Sequence, residues 1–258
     1  MLDRSGSSRV RSQGDVSAFA LQALAALIED IGTGKTEVNV QHLRRLKIAV
    51  HAVYEKKLDD ALDAMRAAGI TNREIIGLYV PAVARALGED WLSDRMDFVG
   101  VTIASSRLQG IVRRLAADCL TPHSNAPRCL VVVPYIEQHT LGASILTSQL
   151  REQGLDVQLL LRPDPDQLAE LTRSGGFNAI MISSSDRNNL EPLRTMIKTL
   201  RTNNTKVPIL VGGTVLEHTG DVCRLVRADY ATNNLQEAIR ICGLKSHTPM
   251  SSHPAKAG

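Results

Sequence analysis

Between residues 128 and 245, short apolar runs alternate with amphipathic stretches. The apolar runs are Cys129–Val133, Val157–Leu161, Ala179–Ile182 and Pro208–Val211, with a weaker one at Ala228–Ala231. Helical patterns fall between and after them, at roughly 141–153, 165–174, 188–202, 214–226 and 234–242. Strands alternating with helices of this length predict parallel βαβ units. Continuous apolar runs predict strands buried on both faces. Gly154, Gly175-Gly176 and Gly212-Gly213 stand where helices or turns should close. Upstream, from about 16 to 119, the apolar positions follow a helical spacing instead. The expected helices are Val16–Ile31, ended by Gly32, then Asn39–Tyr54, then Leu58–Ala68, ended by Gly69. A fourth lies near 72–87, started by the capping box Thr71-Asn-Arg-Glu74 and kinked by Pro81. The last runs from Ser93 to Cys119.

The chain therefore divides into a helical bundle at 16–120, a linker at 121–127 and an α/β domain at 128–245. The Ser-, Gly- and Arg-rich start, 1–15, and the tail, 246–258, are expected to be disordered. A length of 258 residues suits two modest domains. Net charge is only +3, from 30 basic and 27 acidic side chains, which gives no strong field for nucleic acid. Aromatics at 3% argue against base-stacking platforms, so direct DNA binding is not expected. Cys119, Cys129, Cys223 and Cys242 are scattered and read as buried residues of a reducing compartment. No signal-type or membrane-spanning segment is seen, and the expected location is the cytoplasm.

The chemistry concentrates at Glu137-Gln138-His139-Thr140-Leu141-Gly142. An acid, a histidine and a glycine sit here where a strand gives way to a helix, the place where open α/β sheets bind ligands. A carboxylate that holds one ring nitrogen leaves the other for a metal. Other motifs weigh less. Gly32-Thr-Gly-Lys-Thr36 lacks the first glycine of a phosphate loop, since Glu29 stands there. Ala68–Glu74 has a helix-turn-helix flavour, but no basic recognition helix follows it. His218 reads as a solvated helix residue. His42 and His51 are nine positions apart, which is not a metal spacing on one turn.

The α/β half resembles the cobalamin (vitamin B12)-binding domains, whose pattern is Asp-x-His-x-x-Gly, a serine after the third strand and Gly-Gly after the fourth. Glu137, His139 and Gly142 match the first element, with Glu for Asp; Ser183, with Ser185 beyond it, and Gly212-Gly213 match the others. The resemblance implies a flavodoxin-like (Rossmann-type) five-stranded parallel sheet preceded by a helical bundle. It implies His139 as the lower cobalt ligand, with Glu137 bonded to its other nitrogen. Ser183 and Ser185 would line the pocket for the dimethylbenzimidazole tail, and Gly212 and Gly213 would let that tail approach the backbone. Gly88-Glu-Asp-Trp91 and Ala104-Ser105 fit the bundle that precedes such domains, and Trp91 would lie over the upper corrin face. The Glu-His pair of some relatives is replaced by Val101-Thr102.

Gly88–Asp97 and Val101–Arg107 are similar to the AerR/PpaA-type antirepressors of purple photosynthetic bacteria. That resemblance implies a light- or redox-responsive regulator, not an enzyme, which contacts a PpsR/CrtJ-type repressor of photosystem genes. It leaves open the adenosyl, methyl or hydroxo form of cobalamin. A corrinoid methyl carrier and a heme sensor on the same scaffold are the alternatives.

Overall fold

The structure, a computed structural model, describes residues 38–117, 125–203 and 206–244. The expected helix at Val16–Ile31, the stretch at 32–36, Cys119, most of the linker and both terminal segments lie outside the described residues.

The bundle begins with α1 (Val40–His51), capped by the Asn39 side chain, which accepts from the amides of Gln41 and His42. Helix α2 (Lys56–Ala67) packs against it. Helix α3 starts at the expected capping box. The Glu74 amide donates to the Thr71 hydroxyl, and the Thr71 amide donates to the Glu74 carboxylate at 2.8 Å. It runs through Asn72–Glu74, a π turn at Ile75–Tyr79 and then Val80–Leu92, longer than its sequence pattern suggests. The π turn has a local cause. Pro81 has no amide to donate, and in a regular helix its ring would strike the carbonyl of Gly77. One wider turn, in which the Val80 amide reaches back to Ile75, relieves that clash without ending the helix. Helix α4 (Phe98–Ala116) begins later than Ser93. Asp94 takes a left-handed conformation (φ 53°), Arg95 turns back to pair with Asp90, and Asp97 caps the new helix by accepting from the Gly100 amide. Leu46, Leu62, Met65, Val83, Leu108 and Ile111 fill the space between these four helices.

The second domain alternates β1 (Arg128–Val133), α5 (Leu141–Glu152), β2 (Asp156–Leu161), α6 (Pro165–Ser174), β3 (Ala179–Ser183) and α7 (Leu190–Asn203). It continues with β4 (Ile209–Gly212), α8 (Val215–His218), α9 (Val222–Val226), β5 (Tyr230–Ala231) and α10 (Leu235–Ile241). The sheet is all parallel in the order β2-β1-β3-β4-β5, the flavodoxin-like order. Alternate residues feed two cores. Leu130, Val132, Ile180, Ile182, Ile209 and Val211 meet α6, α7 and α9, while Cys129, Val131, Met181 and Leu210 meet α5 and α10. Only the inner strands are buried on both sides; β2 and β5 are edges and partly exposed. One helix expected at 214–226 is two, because Asp221 caps a fresh start by accepting from the Arg224 amide.

Helix α5 belongs to both domains. Ala143 and Leu150 pack on the sheet, whereas Leu141 and Ile145 are buried in the bundle core. Each of those two side chains contributes about 2 kcal/mol of burial to the joint. An Arg73–Glu152 ion pair at 3.3 Å ties the far end of α5 to α3. The strand order reverses between β1 and β3, and the loop carrying His139 leaves the sheet at that point and leads into the bundle-anchored start of α5.

Candidate functional site

A turn closed by the Glu137 amide on the Pro134 carbonyl (2.9 Å) drops the Glu137 side chain into the gap between β1 and β3, where only 2% of it is exposed. Each carboxylate oxygen faces one of the two loops. Oε1 accepts from the His139 amide at 3.0 Å and lies 2.6 Å from His139 Nδ1. Oε2 accepts from the Ser185 amide at 2.8 Å and from the Ser185 hydroxyl at 2.7 Å. Burial alone would raise the carboxyl, but the hydrogen bonds from His139 and Ser185 outweigh it and hold it down at about 2. An ionised carboxylate can only accept, so the proton between it and the imidazole sits on Nδ1. In the neutral ring Nε2 then carries the lone pair. His139 is half-buried, and none of the described residues takes that nitrogen.

This network has a stability consequence with a definite sign. Glu137 titrates lower in the fold than the 4.5 of a solvated glutamate. Its contribution of about 3 kcal/mol is therefore complete above pH 4.5 or so and is lost as pH falls towards 2. Urea unfolding of the wild type should show this loss between about pH 5 and pH 2. Glu137→Gln should flatten that part of the curve, and an unchanged acid limb in the variant would exclude Glu137 as its source.

Beside the network lies an apolar slot. Its floor is the sheet face at Met181 and Leu210; Gly142 and Leu146 of α5 form one wall, and Leu235 and Ala238 of α10 the other. Ser183, Gly212, Gly213, Thr232, Asn233 and Asn234 rim it. The floor and walls suit a flat, apolar ring system, and the rim suits a polar attachment to it. An uncommitted imidazole nitrogen beside a slot of this kind fits a corrinoid whose base has left its cobalt.

Seven of the eight residues picked out in the sequence meet here: Glu137, His139 and Ser185 in the network, Gly142, Ser183, Gly212 and Gly213 on the slot. Ser185 does not line the slot as expected. The strand ends at Ser183, so the alternation that would keep the two serines on one face stops, and Ser185 turns to Glu137 and His139. The glycines answer to the protein itself. A Cβ on Gly213, whose φ is +106°, would lie 2.2 Å from the Ser184 carbonyl, and one on Gly212 would lie 3.0 Å from that of Thr232. Trp91 lines a separate, open recess with residues 94–98 and meets the Phe98 ring edge-on at a centroid distance of 6.3 Å. The far wall of the slot, Thr232 to Ala238, was missed. Its signal was the polar Thr-Asn-Asn after the weakest strand, whose Asn233 side-chain oxygen accepts from the Gly213 amide.

Residues 127–233 match the family described as the B12 binding domain. The chain is 33% identical over 187 residues to an uncharacterized 20.5 kDa protein in the bchF-crtJ intergenic region of Rhodobacter capsulatus, covering 70% of this chain and 97% of that one. Its fold is similar to that of the Methanosarcina barkeri monomethylamine corrinoid protein, with a TM-score of 0.64 at 13% identity over 79% of this chain and 98% of that one. A novel cobalamin-binding protein from Desulfitobacterium hafniense aligns over 80% of this chain and 98% of its own at 17% identity, with a TM-score of 0.40. Among the described residues, no helix is long and apolar enough to cross a membrane.

Proposed function

Because the chain belongs to the AerR/PpaA-type family of B12-binding-domain proteins, we propose that it is a cobalamin-binding regulator that acts by protein contact. The observation that carries the cobalamin part is the His139 imidazole, oriented by a buried, ionised Glu137 with Nε2 uncommitted. Ligating histidines are commonly held this way, since the carboxylate fixes the tautomer and raises the basicity of the ligating nitrogen. Ser185 steadies the carboxylate from the neighbouring loop. The slot would receive the nucleotide base, with Ser183 on its rim. Bound cobalamin would supply a cobalt whose upper ligand is exchanged by light or by a change of oxidation state.

The regulatory part rests on the bundle and on the relative. At the positions where some relatives carry Glu-His, Val101 is buried in the bundle core and the Thr102 hydroxyl donates to the Phe98 carbonyl at 2.8 Å. Neither offers an acid or a base to a methyl transfer, which favours a sensor over a carrier. The Rhodobacter capsulatus relative takes its name from the interval beside crtJ, and the partner proposed is a PpsR/CrtJ-type repressor of photosystem genes. The test is the repressor's affinity for its operator DNA with the purified chain added, loaded with adenosyl-, methyl- or hydroxocobalamin, in darkness and in light. At least one loaded form should weaken operator binding about tenfold, by roughly 1.4 kcal/mol, and unloaded chain should not. Operator binding indifferent to every form would contradict the regulatory part and leave the site intact.

A further inference from the structure

We infer that α5 is the movable wall of the slot, and that entry of the nucleotide base is relayed through it to the helical bundle. The inference rests on the cobalamin reading of the slot and adds how an occupied site would reach a partner.

As it stands the slot offers about 30 Å³, room for little more than a water molecule. A site for a drug-sized ligand needs about 300 Å³ or more. The floor is fixed by parallel ladders on both sides, so a wall must yield. The α10 wall is pinned at its near end. The Gly213 amide donates to the Asn233 side chain at 2.7 Å, the Thr232 hydroxyl donates to Glu237 at 2.6 Å, and the Thr232 amide donates to Val211 of β4. The slot end of α5 has no such tie to the sheet: Thr140 provides no side-chain cap, and the first turns are held instead by Leu141 and Ile145 in the bundle core, so this wall goes where the bundle goes.

What α5 holds on its other side is the bundle. Gly142 and Leu146 face the slot, while Leu141 and Ile145, one residue before each, are buried among α3 and α4. A shift of the first two turns of α5 therefore shifts two side chains of the bundle core, and close-packed cores answer such shifts by repacking. Ile145 is the positioning residue of this relay, since it lies a full turn from His139 and outside the slot.

The test uses the full chain in darkness, with hydroxocobalamin and with diaquocobinamide, which keeps the corrin and cobalt but has no nucleotide tail. Amide hydrogen exchange is followed in α4. Cobalamin should change α4 exchange about tenfold, within the usual range of coupling between sites, and cobinamide should not. Ile145→Ala should still bind cobalamin within a few-fold of wild type but lose the α4 response, and Ile145→Val should restore it. An equal response to cobinamide would overturn the role of the base, and a full response in Ile145→Ala would overturn the relay. If the wild type retains neither corrinoid, the cobalamin reading itself fails and the inference falls with it.

Discussion

His139→Ala is expected to lower corrinoid affinity by more than about a hundredfold, since removing even a residue that only orients a metal ligand costs ten- to a hundredfold. The variant takes away the imidazole that Glu137 and Ser185 orient, and no cluster of three or more metal-ligating side chains exists among the described residues to replace it. It also leaves Glu137 buried with one donor fewer, at a cost of about 1–2 kcal/mol. The domain should therefore stay folded at neutral pH, which circular dichroism would check. A corrin spectrum retained after desalting at wild-type affinity would place the ligand on another side chain.

The largest effect on stability is expected from Gly213→Ala. Two penalties coincide there. At φ +106° an L side chain is strained wherever it points, a cost of about 1–3 kcal/mol. The new Cβ would also lie 2.2 Å from the Ser184 carbonyl oxygen, a backbone atom that itself accepts from the Val215 amide and cannot swing away. Together they should cost more than about 3 kcal/mol, enough to unfold a marginal domain. Gly176→Ala is the matched control. It too has a positive φ, +59°, but its Cβ would meet nothing within 4 Å, so about 1–2 kcal/mol is expected. Denaturant midpoints of the two variants give the comparison. Equal losses would show that the contact with Ser184 does not matter.

The alternation of apolar runs and amphipathic stretches was enough to place all five strands and to predict that they run parallel, because buried central strands leave a continuous signal. It overstated one edge: β2 carries an apolar run like those of the inner strands but lies at the end of the sheet, and position in a sheet is not written in the strand itself. The break between α8 and α9 was legible in principle, since Gly220-Asp221 is a stop followed by a cap, yet the helical spacing on either side runs through it. Pro81 announced a distortion of α3 but not its form, which depends on where the missing bond is made up.

The site was legible to the same depth. Glu137, His139 and Gly142 are neighbours in sequence, so their meeting follows from one strand-to-helix turn. Ser185 could be placed near them by its strand, but its side-chain direction depends on β3 ending at Ser183. With glutamate in the aspartate position, one carboxylate still reaches both His139 and the loop after β3. The α10 wall lies some ninety residues beyond the motif and comes to the slot only through the sheet order, which no local pattern carries.

The most direct test of the account is electron paramagnetic resonance of the protein loaded with cobalamin and reduced to the cobalt(II) state. Two samples are compared, one with ordinary histidine and one grown on heavy-nitrogen-labelled histidine. If His139 Nε2 holds the cobalt, the nitrogen splitting on the cobalt lines should change from triplets to doublets on labelling. Triplets that persist in the labelled protein would mean that the corrinoid's own base is still on the metal, and a sample that retains no cobalt signal would contradict the cobalamin site outright.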